Sequence, residues 1–262
     1  MLMRSTELPW LHLGEHLRIN LPTRASVLDL ISERLPANQG FSIATLNLDH
    51  AVLLEEPGDF RTAYARHSHI TADGHPIAWM ARRLNPDVER VTGSDLIIPC
   101  VEIAAKQGTP IGFIGATMEV LDAADAELHA KFPELKTAIK IAPSYPFDPK
   151  GQEADEVIQK VIESGAGLCL LALGAPRQEI LASRLSSAAP HMGVISVGAG
   201  IDFIAGTAKR APGIFQRTGM EWFWRFCQEP RRLGPRYWRC GKLLPHLIVR
   251  ARNHTRQECP DP

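Results

Sequence analysis

Six short apolar runs, separated by stretches of helical periodicity, constrain this chain more than anything else in it. They are "FSIATLN" (41–47), "HITA" (69–72), "PIGFIG" (110–115), "KIAP" (140–143), "LCLLALG" (168–174) and "GVISVG" (193–198). Between them lie segments such as "EVLDAADAELHAKF" (119–132) and "ADEVIQKVIESG" (154–165), with apolar residues three and four apart. Runs that are apolar throughout bury both faces, and strands separated by helices pair in parallel, so the pattern predicts a doubly wound, mostly parallel α/β sheet. Strand signals stop near residue 205, and the rest of the chain reads as helices. In such sheets ligands bind outside the carboxyl ends of the strands. The informative residues are therefore those just beyond each run.

Charge divides the chain at nearly the same place. Residues 1–208 hold 17 Lys and Arg against 25 Asp and Glu, while residues 209–262 hold 12 against 4. The expected organisation is an α/β domain over 1–205 and a basic, helical, membrane-proximal appendage over 206–262. Basic segments attract phosphates, whether of nucleic acid, anionic lipid or a small ligand. Within the appendage, "EWFWRFCQEPRRLGPRYWR" (221–239) sets three of the five tryptophans among five arginines. On a helix Trp222, Phe223 and Phe226 share a face, suiting either docking on the body or a bilayer interface. Pro230 breaks or restarts that helix and Pro235 interrupts the basic stretch after it. No apolar run reaches the ~20 residues that cross a bilayer, and Glu7, His12 and Glu15 interrupt the N-terminus, so a cytoplasmic protein is expected. The five cysteines are scattered without a C-x-x-C pair, which speaks against a zinc site or disulfide framework.

Five polar or glycine-rich turns sit at the ends of these runs. Thr45 and Asn47 close the first run and Asp49 follows it, and Asp73-Gly74 come after the second. Asp73 is placed either to take a proton from an attacking hydroxyl or to act as an Asx-turn or N-cap for 75–84. "GATMEV" (115–120) turns a strand into a helix, and Gly115 there suits either a phosphate or a tight turn. In "GAPRQE" (174–179), Gln178 and Glu179 fit a helix cap, and Gln178 also fits sugar hydroxyls. Asp202 in "GAGIDFIAG" (198–206) fits a ribose contact or a helix cap. The dinucleotide fingerprint fails there because Phe203 holds its third glycine position, and no P-loop occurs. His67 and His69 lie two apart but lack a partner cluster for a metal. "RVTGSDLI" (90–97) reads as a capped helix start.

The segments "TLNLDHAV", "TADGHPIAW", "RVTGSDL", "GFIGAT", "LALGAPRQE", "GAGIDFIAG" and "KRAPGIFQRTGMEWFWRFCQEPRRLGPRYW" occur in the order found in the WecG/TagA/CpsF family of bacterial glycosyltransferases. The chain resembles that family over roughly residues 41–240. The resemblance implies a Rossmann-like fold and an inverting hexosyltransferase that moves a sugar from a UDP-sugar to a polyprenyl-diphosphate-linked glycan. It implies a peripheral place at the inner face of the cytoplasmic membrane and a role in exopolysaccharide, capsule or cell-envelope polysaccharide synthesis. "TLNLDH" with "GAGIDFIAG" lies closer to exopolysaccharide, GumM-like members. By the same resemblance Asp73 is the general base, Thr45 and Asn47 line the reaction pocket, and Gln178 and Asp202 contact the donor. Arg225, Arg231 and Arg232 contact the diphosphate.

Direct displacement at an anomeric carbon needs a base for the acceptor hydroxyl and positive charge for the departing UDP. No D-x-D metal motif is visible, although "DAAD" (122–125) holds two aspartates on an outer helix. The expectation is therefore no cofactor and no metal, with appendage arginines in the metal's place. A homo-oligomer stays open. The rivals are a nucleotide-dependent oxidoreductase, disfavoured by the missing fingerprint, and a nucleic-acid-binding module, disfavoured by the acidic body.

Overall fold

The computed structural model describes residues 10–208 apart from 15, then 211–212, 215 and 220–258, with the backbone alone at 221, 225, 232 and 250–258. The chain opens with an antiparallel hairpin of β1 (Leu11–His12) and β2 (Arg18–Ile19). After it come α1 (Arg24–Arg34), β3 (Phe41–Leu46), α2 (Leu48–Leu54), α3 (Asp59–Ala65), β4 (His69–Ala72), α4 (His75–Arg82) and α5 (Gly93–Gln107). The second half runs through β5 (Ile111–Gly115), α6 (Met118–Lys131), β6 (Thr137–Ile141), α7 (Gln152–Glu163), β7 (Leu168–Ala172), α8 (Arg177–Ala188), β8 (Gly193–Ser196) and α9 (Gly200–Ile204). Two helices end the described chain, α10 (Glu221–Gln228) and α11 (Pro230–Glu258).

The six main strands form one sheet in the order β4-β3-β8-β7-β5-β6, parallel at every pairing. The chain starts at β3, steps to the edge at β4, crosses to β5 and the far edge β6, then fills the middle with β7 and β8. Every residue of β3, β4, β5 and β8 is buried, as apolar runs between two helical layers require, while edge strand β6 is half-buried. Side chains alternate between the layers with the period of two that a strand dictates. From β3, Ile43 joins the core under α1 and α5, and Ala44 and Leu46 join the one under α2, α3 and α4. From β7, Leu170 faces the first of these cores, and Cys169 and Leu171 face a third under α7 and α8. The sequence places "KIAP" three residues late, since β6 begins at Thr137. The fold is the doubly wound, Rossmann-like α/β architecture that the sequence predicts.

Beyond β8 the described chain contains helices and no strand. Pro230 stands at the start of α11, where its missing N–H costs nothing, so the helix ends and restarts there as expected. Pro235 differs from expectation: α11 runs through both it and Pro245 without ending. α10 folds back on α11 through Trp222 and Phe226, whose rings stand 5.7 Å and 6.4 Å from that of Tyr237. α11 then lies across α2 and α4. It sinks Leu247 into the core with Leu54, Met80 and Ala81, while Leu243 and Ile248 pack at its margin. The basic helix is thereby fastened beside the turn that leaves β3.

Candidate active site

The carboxyl ends of β3 and β4 lie side by side, with Thr45 opposite Thr71 and Leu46 opposite Ala72. One step further, the Asp73 N–H donates to the Leu46 carbonyl at 2.7 Å, so Asp73 sits beside Asn47 at the sheet edge. The N-cap of α4 is Gly74, with φ +78° and no side-chain cap, and Pro76 stands in the first turn. The N-cap position of α4 is thus one residue beyond Asp73, which is itself half-buried at the edge. Asn47 does serve as a cap. Its Oδ1 accepts from the His50 N–H at 3.0 Å, which fixes the side chain at the mouth of the β3–α2 turn. Thr45 is buried one position before Leu46.

Behind this edge lies a buried polar cluster that sequence reasoning did not assemble. Glu179, in the first turn of α8, is fully buried, and its Oε1 accepts from Gln178 Nε2 at 2.7 Å. Gln178 Oε1 in turn accepts the Gly198 N–H at 3.2 Å, joining the β7–α8 turn to the β8–α9 turn. The N-cap of α8 is Pro176, so neither Gln178 nor Glu179 caps the helix. His50 Nε2 lies 3.8 Å from Glu179 Oε1, and the His50 ring stands edge-on to Phe60 and Tyr64.

Burial pushes the Glu179 carboxyl up to about 7, against the Gln178 hydrogen bond and with help from the Asp49 charge. Burial, then the Arg236 charge, push His50 down to about 3, and burial pushes His67 down to about 4. Burial, then the charges of Glu179 and Asp73, hold the Tyr64 phenol well above its ordinary value. Near pH 7 the two histidines and the phenol are thus held neutral, while the Glu179 carboxyl titrates in that range.

Asp202 lies in the first turn of α9, whose N-cap is Ala199. Its half-buried carboxyl is raised by burial, against a hydrogen bond from its own backbone. Gly115, at the end of β5 with φ +119°, packs so tightly that a Cβ would lie 2.5 Å from the Ala172 carbonyl carbon. A close approach of two strand ends accounts for glycine there, and Thr117 caps α6. The remaining arginines spread along the last helices. Arg231 is exposed on α11, whereas the side chains of Arg225 and Arg232 lie outside the described residues.

Among the described residues no group of three or more His, Cys, Asp or Glu side chains is placed to hold a metal ion. Asp122 and Asp125 both pair with Lys140, at 2.8 and 2.9 Å, and Asp125 also accepts from Thr137. His69 meets Ser68 Oγ at 2.8 Å, while His67 packs on Tyr64. Arg236, which the apparent break at Pro235 hides in the sequence, brings its Nε to 3.1 Å from Asp49 Oδ1. Its spacing from the arginine pair 231–232 was the available signal.

The arrangement offers a carboxyl-bearing residue at a strand end, hydrogen-bonding side chains on the adjoining turns, and a cationic helix alongside. A family model described as "Glycosyl transferase WecG/TagA/CpsF family" matches residues 15–258, nearly the whole chain. No helix among the described residues is long and apolar enough to cross a membrane. The chain belongs to the WecG/TagA/CpsF family of glycosyltransferases.

Proposed function

We propose that this glycosyltransferase moves a hexose, with inversion, from a UDP-sugar to a polyprenyl-diphosphate-linked glycan at the cytoplasmic face of the membrane. The placement of Asp73 carries this reading: a carboxyl-bearing residue at the end of β4, fixed through its own backbone N–H to Leu46 and one residue before the N-cap of α4. In one displacement the acceptor hydroxyl attacks the anomeric carbon, its proton passes to Asp73, and the bond to UDP breaks with the electron pair leaving on UDP. Thr45 and Asn47 line the reaction pocket, and Gln178 and Asp202 the donor side. Arg225, Arg231 and Arg232 offset the charge that develops on the diphosphate, the task a metal performs elsewhere.

The exposed Trp222, Phe223 and Trp238, with the Lys242 ammonium over the Trp238 ring, suit a bilayer interface. The pathway proposed is exopolysaccharide synthesis on the GumM-like branch, with capsule and cell-envelope polysaccharide as alternatives. A UDP-release assay across UDP-sugars, with and without a lipid-diphosphate acceptor, tests the reading. Asp73→Asn is expected to lower turnover by about 10²-fold or more while UDP binding persists. Turnover near wild type removes Asp73 from the mechanism. EDTA is expected to leave the rate unchanged, and a loss restored by Mg²⁺ overturns the role given to the arginines.

A further inference from the structure

Gln178 and Glu179 are consecutive residues of α8, yet their side chains form one unit that neither makes alone. The Gly198 N–H can only donate, so the oxygen of the Gln178 amide must face it, at 3.2 Å. That leaves Nε2 pointing the other way, toward Glu179 Oε1 at 2.7 Å. Both side chains are buried, Gln178 at 4% exposure and Glu179 at 0%. An amide in that setting needs an acceptor at its nitrogen, because an unpaired buried N–H is costly and frees the group to rotate. At Gly198, with φ +54°, a Cβ would meet nothing within 4 Å, so side-chain packing does not clamp the turn at that point.

On its other side Glu179 abuts His50, whose backbone N–H is the one that Asn47 caps. One carboxyl therefore lies between the turn holding Asn47 and the turns holding Gln178 and Asp202.

We infer that Glu179 is a positioning residue for the donor side of the site: it orients the Gln178 amide, which locks the β7–α8 and β8–α9 turns together. This rests on the reading that Gln178 and Asp202 meet the UDP-sugar. The carboxyl acts through its acceptor oxygen, and its charge is dispensable for that. Burial that favours the neutral acid is consistent with this, because a protonated carboxyl keeps a carbonyl oxygen able to accept.

The test compares Glu179→Gln, Glu179→Met and Glu179→Asp with wild type for donor KM, kcat, UDP binding by calorimetry, thermal unfolding, and hydrogen exchange at the Gly198 amide. Gln restores an acceptor oxygen at the same reach. Met fills the volume without one, and Asp withdraws it by a methylene. The Met and Asp variants are expected to raise donor KM about tenfold with kcat little changed and to lose Gly198 protection, the size of one hydrogen bond. The Gln variant is expected to stay within about twofold, a hydrogen-bond-neutral exchange. If the Met variant does not fold, the Asp variant carries the comparison. An unchanged donor KM in the Met or Asp variant, or equal loss in the Gln variant, overturns the inference. A purely structural role lowers the unfolding temperature without moving KM. A wild type that neither binds UDP nor turns over a UDP-sugar overturns the donor reading instead, and Gly198 exchange alone then decides the lock.

Discussion

Arg236 on α11 pairs with Asp49 in the first turn of α2, Nε to Oδ1 at 3.1 Å. Asp49 stands two residues after Asn47, so this pair ties the last helix to the turn that leaves β3. The Arg236 side chain is about two-fifths exposed, so water and salt weaken the attraction. A double-mutant cycle with Arg236→Gln and Asp49→Asn is expected to give a coupling of about 0.5–1 kcal/mol in denaturant unfolding, shrinking at high salt. A coupling of zero shows that α11 is held by Leu247 and its apolar neighbours alone.

Three buried histidines and one buried acid give opposing pH dependences. His50, His67 and His69 are held at about 3, 4 and 4 by burial, against an ordinary value of 6.5. Between those values the unfolded chain binds protons that the native state refuses, so stability falls as pH drops below about 6.5. Glu179 works the other way. Its carboxyl, raised to about 7, keeps a proton that the unfolded chain releases from about 4.5 upward, so its contribution is lost as pH rises through that window. Three groups outweigh one on the acid side, and of these four Glu179 is the one that acts between 6.5 and 7. Urea unfolding at about pH 5, 6.5 and 8 is expected to give a maximum near the middle value. Glu179→Gln is expected to remove the decline toward pH 8, and an unchanged decline locates its source elsewhere.

Gly115 separates a structural from a ligand-binding role for the β5–α6 turn. A Cβ there meets the Ala172 carbonyl carbon and oxygen, each at 2.5 Å, in a left-handed backbone that disfavours any L side chain. Gly115→Ala is expected to cost about 2–4 kcal/mol in unfolding free energy. Thermal unfolding together with UDP calorimetry checks it. Lost UDP affinity without lost stability assigns the glycine to the ligand instead.

These cases show what the residues disclosed in advance. Leu168–Ala172 and Gly193–Ser196 were visible as strands because a doubly covered sheet admits little but apolar side chains. Their order was not, since β8 reaches its place between β3 and β7 only through long-range pairing. Asp73 was visible because an acid before glycine after an apolar run marks a strand end. Glu179 was hidden: an acid in the first turn of a helix looks like a dipole partner, and only tertiary packing shows it buried against His50. Arg236 was hidden by Pro235, which α11 absorbs five residues from its start.

The exposed aromatics carry the last prediction. Trp222 and Trp238 are 49% and 68% exposed, while Trp224 on the same short helix turns inward to Phe215, ring to ring at 5.6 Å. Trp238 can be truncated with little loss of packing, Trp222→Ala gives up the ring contact with Tyr237, and Trp224→Ala removes a half-buried ring. If this face meets the bilayer, Trp222→Ala with Trp238→Ala is expected to weaken binding to anionic liposomes by about tenfold or more, with only a small fall in unfolding temperature from the lost Tyr237 contact. Added salt is expected to weaken the wild type further, because Arg231, Arg239 and Lys242 are exposed on the same helix. Co-sedimentation with neutral and anionic vesicles separates the two contributions. Equal binding by the double variant assigns these tryptophans to another contact and leaves the attraction to the exposed cations of α11.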